Sequence, residues 1–170
     1  MKLNKTGKVA LYGLLASLAL VMSYIESLIP PLMAVPGMKL GLTNIVVLAA
    51  LYLIGDGGAV LMNVIRILLV SFMFGNGISL WYSLAGGLLS GLVMILAKRT
   101  GKLGIITVSI LGGVAHNVGQ ILTAMVLLKT TAVGYYLLIL WFSGMAAGAV
   151  IGVIGAAVVA RLQKGIRRAR

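Results

Sequence analysis

Six long apolar runs, separated by clusters of basic residues, glycine or proline, leave this chain few ways to fold. They cover about residues 9–28, 38–54, 58–74, 80–97, 103–128 and 135–160. A helix needs roughly 20 apolar residues, and no fewer than about 17, to cross the hydrocarbon core of a bilayer. The second and third runs sit at that lower limit. Merging them into one span is opposed by Gly55-Asp56-Gly57-Gly58, a sequence that breaks helices. The expectation is one all-α integral membrane domain of six transmembrane helices spanning the whole chain.

Composition agrees. Of 170 residues, 61% are hydrophobic and only two, Glu26 and Asp56, are acidic. A soluble domain of this size needs more polar surface than that, so the excess apolar residues face lipid. A net charge of +12 raises the question of nucleic acid, but the basic residues flank the apolar runs. With the N-terminus inside, eleven basic residues fall on the cytoplasmic side, from Lys2, Lys5 and Lys8 through Lys98, Arg99 and Lys102 to Arg161–Arg170. Lys39 and Lys129 fall outside, and Arg66 lies within a span. This is a positive-inside pattern with both termini cytoplasmic, and no nucleic-acid partner is expected. The first apolar run is read as a retained helix, because no small-residue cleavage site follows it. Trp81, Tyr82, Tyr135 and Tyr136 are expected at the outer interface.

Small residues recur at four-residue intervals: Gly144, Gly148, Gly152, Ala156 and Ala160 in the last run, Ser83, Gly87 and Gly91 in the fourth, Gly13 and Ser17 in the first. Such stripes let helix backbones approach closely in lipid. They serve either packing within the bundle or, for the first helix, docking of a partner membrane subunit. The outer connection 27–40 holds all three prolines, Pro30, Pro31 and Pro36. It is either a shaped cover over the bundle mouth or a plain connector.

Polar groups inside spans are costly and are functional candidates for that reason. Arg66 lies near the middle of the third run, one turn after Asn63, and its planar guanidinium suits carboxylate or phosphate. An internal pair with Glu26 is the structural alternative. His116, the one histidine, falls on a face with Ser109, Gly112, Gly119, Gln120 and Thr123, opposite Val114, Val118, Leu122 and Met125. Interhelical hydrogen bonding and ligand contact are both open to it. No second histidine, thiolate or nearby carboxylate completes a metal site, and no cofactor is implied. Glu26, Lys39, Asn44, Asn63, Arg66, His116, Asn117 and Gln120 are the candidate substrate-binding residues. They run from the outer mouth to mid-membrane and favour capture of a small solute from outside.

Three stretches carry a resemblance. Pro36-Gly37-Met38-Lys39-Leu40-Gly41-Leu42-Thr43-Asn44, Ser83-Leu84-Ala85-Gly86-Gly87-Leu88-Leu89-Ser90 and Gly112-Gly113-Val114-Ala115-His116-Asn117-Val118-Gly119-Gln120 resemble the Gx transporter family. Its members are often labelled heptaprenyl diphosphate synthase component I. More distantly, the layout is similar to the substrate-binding S components of energy-coupling factor (ECF) vitamin transporters. This resemblance implies an S-component-like bundle in the bacterial cytoplasmic membrane. It also implies a gating loop after the first helix and docking of a coupling subunit, with its ATPases, on Gly13 and Ser17. Gly13-Leu14-Leu15-Ala16-Ser17 departs from that docking motif by carrying Gly and Ser where alanines are usual. The synthase label meets a chemical obstacle. Prenyl elongation needs aspartate-rich motifs to hold magnesium, and this chain has one aspartate and no P-loop. The expectation is therefore a non-enzymatic subunit that takes up a vitamin, a flavin or an isoprenoid- or quinone-related solute. The alternative is a membrane anchor for a soluble prenyl synthase subunit.

Overall fold

The computed structural model describes residues 5–28, 41–74 and 77–168. They form six α-helices: α1 Lys5–Leu28, α2 Asn44–Leu53, α3 Asp56–Phe74, α4 Gly77–Arg99, α5 Ile105–Leu128 and α6 Leu137–Arg168. A 3-10 turn over Ala132–Tyr136 leads into α6, and no strand occurs among the described residues. Five of the helices are long and apolar enough to cross a membrane: α1, α3, α4, α5 and α6.

The expected second crossing takes a different form. Within the described part of 38–54, the helix is the 10-residue α2, about 15 Å long, half the depth of a hydrocarbon core. Every residue of α2 except Tyr52 is buried, because α1, α3, α4 and α6 all pack on it. This explains why its sequence is apolar all round: it is a central core helix. Gly41, at φ +80, turns the chain just before it. Gly55, at φ +112, reverses the chain after it, while the N–H groups of Ile54 and Gly55 both donate to the Ala50 carbonyl. Asn44 and Arg66 lie equally far along the chain on either side of Gly55, so this hairpin sets them at one level.

Lys98 fastens the other end of α2. Its Nζ donates to the Leu51 carbonyl at 2.8 Å, pairs with Asp56 at 3.4 Å and lies 5.6 Å from the Tyr52 ring centre. Arg99 pairs with Asp56 at 2.8 Å. The α2–α3 turn thus meets the C-terminus of α4. Tyr12 of α1 is close to Gly58, and α6 runs antiparallel to α5, so the basic residues of α1, of the end of α4, of the α4–α5 turn and of the end of α6 gather at this same end. Above this basic end lies the main apolar core, with Leu15, Leu48, Ala50, Met62, Met94 and Val108 among its fully enclosed members.

The glycines of the α6 stripe are spent on packing. A Cβ on Gly144 would lie 2.9 Å from the Gly113 carbonyl oxygen, and one on Gly148 would lie 2.7 Å from the Ile110 Cα. At Gly152 the distance to the Ile106 Cα would be 2.9 Å. Gly13 differs, since a Cβ there would meet nothing within 4 Å. It and Ser17 are exposed, and Ser17 Oγ donates back to the Gly13 carbonyl. Of the expected interface aromatics, Trp81 and Tyr135 are exposed and Tyr136 partly so. Tyr82 is instead buried against Ala124 and Val133, because its position on α4 turns it toward α5 and the 3-10 turn.

Candidate functional site at the buried start of α2

Arg66 is the centre of a polar cluster in the middle of the bundle and is only 3% exposed. Its Nη1 donates to Thr43 Oγ1 at 2.5 Å and its Nη2 to Asn44 Oδ1 at 3.0 Å, at the start of α2. Nε and Nη2 both donate to Asn63 Oδ1, one turn earlier on α3, at 3.1 and 2.9 Å. Asn63 Nδ2 in turn donates to the Gly87 carbonyl of α4 at 2.7 Å. The acceptors of these guanidinium bonds are all neutral oxygens. Ion pairs among the described residues centre on Asp56, at the basic end. The alternative Arg66–Glu26 pair does not form within ion-pair distance.

Glu26 is buried near the end of α1 and its Oε1 accepts the Gly41 N–H at 2.5 Å. Gly41 is wedged among site residues: a Cβ there would lie 3.0 Å from Asn44 Nδ2 and 3.2 Å from His116 Nε2. His116 therefore completes the cluster from α5. Gln120 Nε2 lies 3.2 Å from His116 Nε2, one turn along the same face. The other end of that amide, Oε1, has no hydrogen-bond partner among the described residues although Gln120 is almost fully enclosed. Reversing the amide would exchange the roles and still leave one buried polar atom over.

Two glycines on α4 make room for these side chains. A Cβ on Gly87 would lie 2.9 Å from Arg66 Nη2, and one on Gly86 would lie 3.0 Å from His116 Nδ1. The fourth-run stripe therefore contributes a smooth wall to the cluster.

The structure thus gathers Glu26, Asn44, Asn63, Arg66, His116 and Gln120. Asn117 is placed elsewhere: its Nδ2 donates to the Leu140 carbonyl at 2.7 Å and to Ser143 Oγ at 3.3 Å, tying α5 to α6. Lys39 and the proline segment lie outside the described residues. Thr43, Gly41 and Gly86 stand in the stretches that carry the resemblance but not among the candidate binding residues. The Thr43-Asn44 pair opening an apolar run is the signal that points to Thr43, whereas the two glycines become visible only through packing. A separate groove of about 350 Å³ opens along the α4–α5 seam, lined by Trp81, Ala85, Leu89, Leu122, Val126 and Leu127 with Gly119 and Thr123. None of the expected site residues lines it. No group of three potential metal-ligating acids, histidines or cysteines occurs among the described residues.

A buried cation held at mid-bundle by neutral groups, inside five helices of membrane-crossing length, defines a multi-pass helical membrane protein with an internal polar site. The family described as heptaprenyl diphosphate synthase component I, the Gx transporter family, matches residues 15–158, and the chain belongs to it. That match includes every site residue named above. No curated protein and no solved structure matches the chain.

Proposed function

We propose that this protein binds a small solute carrying an anionic group at the Arg66 cluster and mediates its uptake across the cytoplasmic membrane. It does so as an S-component-like subunit that draws energy from separate coupling and ATPase subunits. The observation that carries this reading is the Arg66 guanidinium, buried within the bundle, whose hydrogen bonds among the described residues go to Thr43, Asn44 and Asn63. A cation so deep costs several kcal/mol or more unless it is compensated, which supports a bound anion as its working partner. The unmatched amide atom of Gln120 supplies a second point of recognition. Vitamins, flavins and isoprenoid- or quinone-related anions are the solutes to test. Gly13 and Ser17, exposed on α1, support that face as the docking surface for a coupling subunit.

The test is thermal stabilisation of the purified chain by a panel of those solutes, wild type beside Arg66→Ala. A solute that raises the wild-type melting temperature by several degrees and leaves the variant unmoved supports uptake. A panel in which nothing stabilises the wild type sinks it.

The description of the family names a component of a heptaprenyl diphosphate synthase. This favours a second reading, a membrane accessory subunit that anchors a soluble synthase chain. In that case the polar cluster is interhelical glue. Co-purification with a soluble prenyl synthase supports the anchor, and co-purification with an ATPase pair and coupling subunit supports uptake.

A further inference from the structure

The polar cluster ends in an amide that is only half used. At the Arg66 end, the guanidinium reaches Thr43, Asn44 and Asn63. His116 stands next to Asn44, since the place a Cβ on Gly41 would take lies within 3.2 Å of both side chains. Gln120 spends one end of its amide on His116 Nε2 at 3.2 Å. The other end has no partner among the described residues, although Gln120 is only 1% exposed. Further buried atoms are unmatched for simpler reasons. A helical serine such as Ser90 can rotate its hydroxyl toward the carbonyl a turn back. His116 Nδ1 is shut against Gly86, where a Cβ would lie 3.0 Å away. The Gln120 amide has neither explanation. Its orientation does not matter, because the reversed amide leaves N–H groups over in place of an oxygen.

We infer that the free end of Gln120 reads a second polar group on the solute. The solute of the Arg66 site is then an anion with an amide, imide or hydroxyl on its body, not an anion on a hydrocarbon tail. This rests on the anion-site reading above and narrows its substrate class. The physical reason is desolvation. A prenyl chain laid against the cluster would seal in the Gln120 amide and give it no hydrogen bond in return. The surroundings point the same way. Thr43, Asn44, Asn63, Gly41 and Gly86, which hold Arg66 and His116, present hydroxyl, amides and backbone rather than the broad apolar wall that a hydrocarbon tail needs. The apolar groove on the α4–α5 seam is lined by none of them.

Gln120→Met tests this, because methionine has a similar length and no amide. It exchanges one unmatched buried atom, on Gln120, for another, His116 Nε2. Without solute its melting temperature is therefore expected to stay within about 2 °C of wild type. A fall of several degrees would make Gln120 a structural residue and overturn the inference. The binding arm follows the melting temperature of the purified full chain against flavin mononucleotide, pantothenate and geranyl diphosphate, for wild type, Gln120→Met and Arg66→Ala. The first two are anions with hydroxyl and amide or imide groups, and the third is an anion on a hydrocarbon tail. At least one of the polar anions is expected to stabilise wild type through Arg66 and to bind Gln120→Met about tenfold more weakly. A polar anion that binds both proteins equally sinks the role of Gln120 and leaves the anion site in place. So does geranyl diphosphate binding wild type through Arg66 more tightly than either polar anion. If none of the three binds in an Arg66-dependent way, both readings fall.

Discussion

Asn63 accepts two guanidinium N–H bonds from Arg66 and donates to Gly87, so one side chain joins α3 to α4 and fixes the cation between them. Replacing it with alanine leaves two charged donors and one backbone carbonyl short of partners in the interior. Asn63→Ala is expected to destabilise the chain by roughly 3 kcal/mol, read as a fall in melting temperature. Asn117 makes a comparable number of bonds in a different place, against Leu140 and Ser143 of α6. Asn117→Leu is expected to lower the melting temperature by a smaller margin, about 1–2 kcal/mol, and to leave solute binding intact. Equal loss of binding in both variants would place Asn117 in the site after all. At this scale the sequence is informative about which residues are buried and less so about what they touch. Chain order put His116, Asn117 and Gln120 within one short stretch, periodicity put His116 and Gln120 on one face, and all three are buried. It did not say that Asn117, one residue on from His116, turns far enough around α5 to face α6. Arg66 stood out because arginine is rare inside a span. Its three acceptors come from two helices, and their meeting depends on the α2–α3 hairpin.

Among the elements, α2 departs furthest from its sequence reading. A run of apolar residues has the same appearance whether it faces lipid or is enclosed by protein, and 38–54 was long enough for either. What decides is the left-handed backbone at Gly41 and the four helices around α2, neither of which a hydropathy pattern carries. The small-residue stripes are the opposite case. Their spacing marked close helix contact, and α6 indeed meets α5 along Gly144, Gly148 and Gly152. The structure also sorts the stripes. Gly148→Ala places a methyl 2.7 Å from the Ile110 Cα, a backbone atom that cannot turn aside. It is expected to cost about 1–3 kcal/mol and to lower the melting temperature. Gly13→Ala meets nothing within 4 Å. It is expected to leave the isolated chain as stable as wild type or stabler by up to about 1 kcal/mol. A bulkier Gly13→Leu keeps that stability and, on the docking proposal, loses co-purification of a coupling subunit. Loss of stability in Gly13→Ala would mean that α1 packs within the bundle through that face.

Taken whole, the molecule is asymmetric along its long axis. The half nearer the basic end is a dry plug, built from α2 and the apolar side chains around it and fastened by Lys98, Arg99 and Asp56. The polar cluster begins where α2 begins and extends away from that end, toward Glu26 near the close of α1. On the uptake proposal, a solute at Arg66 has polar neighbours on one side and packed hydrocarbon on the other, and its inward release requires α2 to move. On the positive-inside expectation the plugged end is cytoplasmic, because Lys98, Arg99, Lys102, Arg161 and Lys164 gather there. The sequence lacks cysteine, so single introduced cysteines report orientation without background. Tyr135 and Lys164 are both exposed, at opposite ends of the last span. In intact cells, a membrane-impermeant maleimide is expected to label Tyr135→Cys and to label Lys164→Cys only after the membrane is opened. The reverse pattern would turn the bundle over, place the polar cluster on the cytoplasmic side of the plug, and replace capture from outside with capture from within.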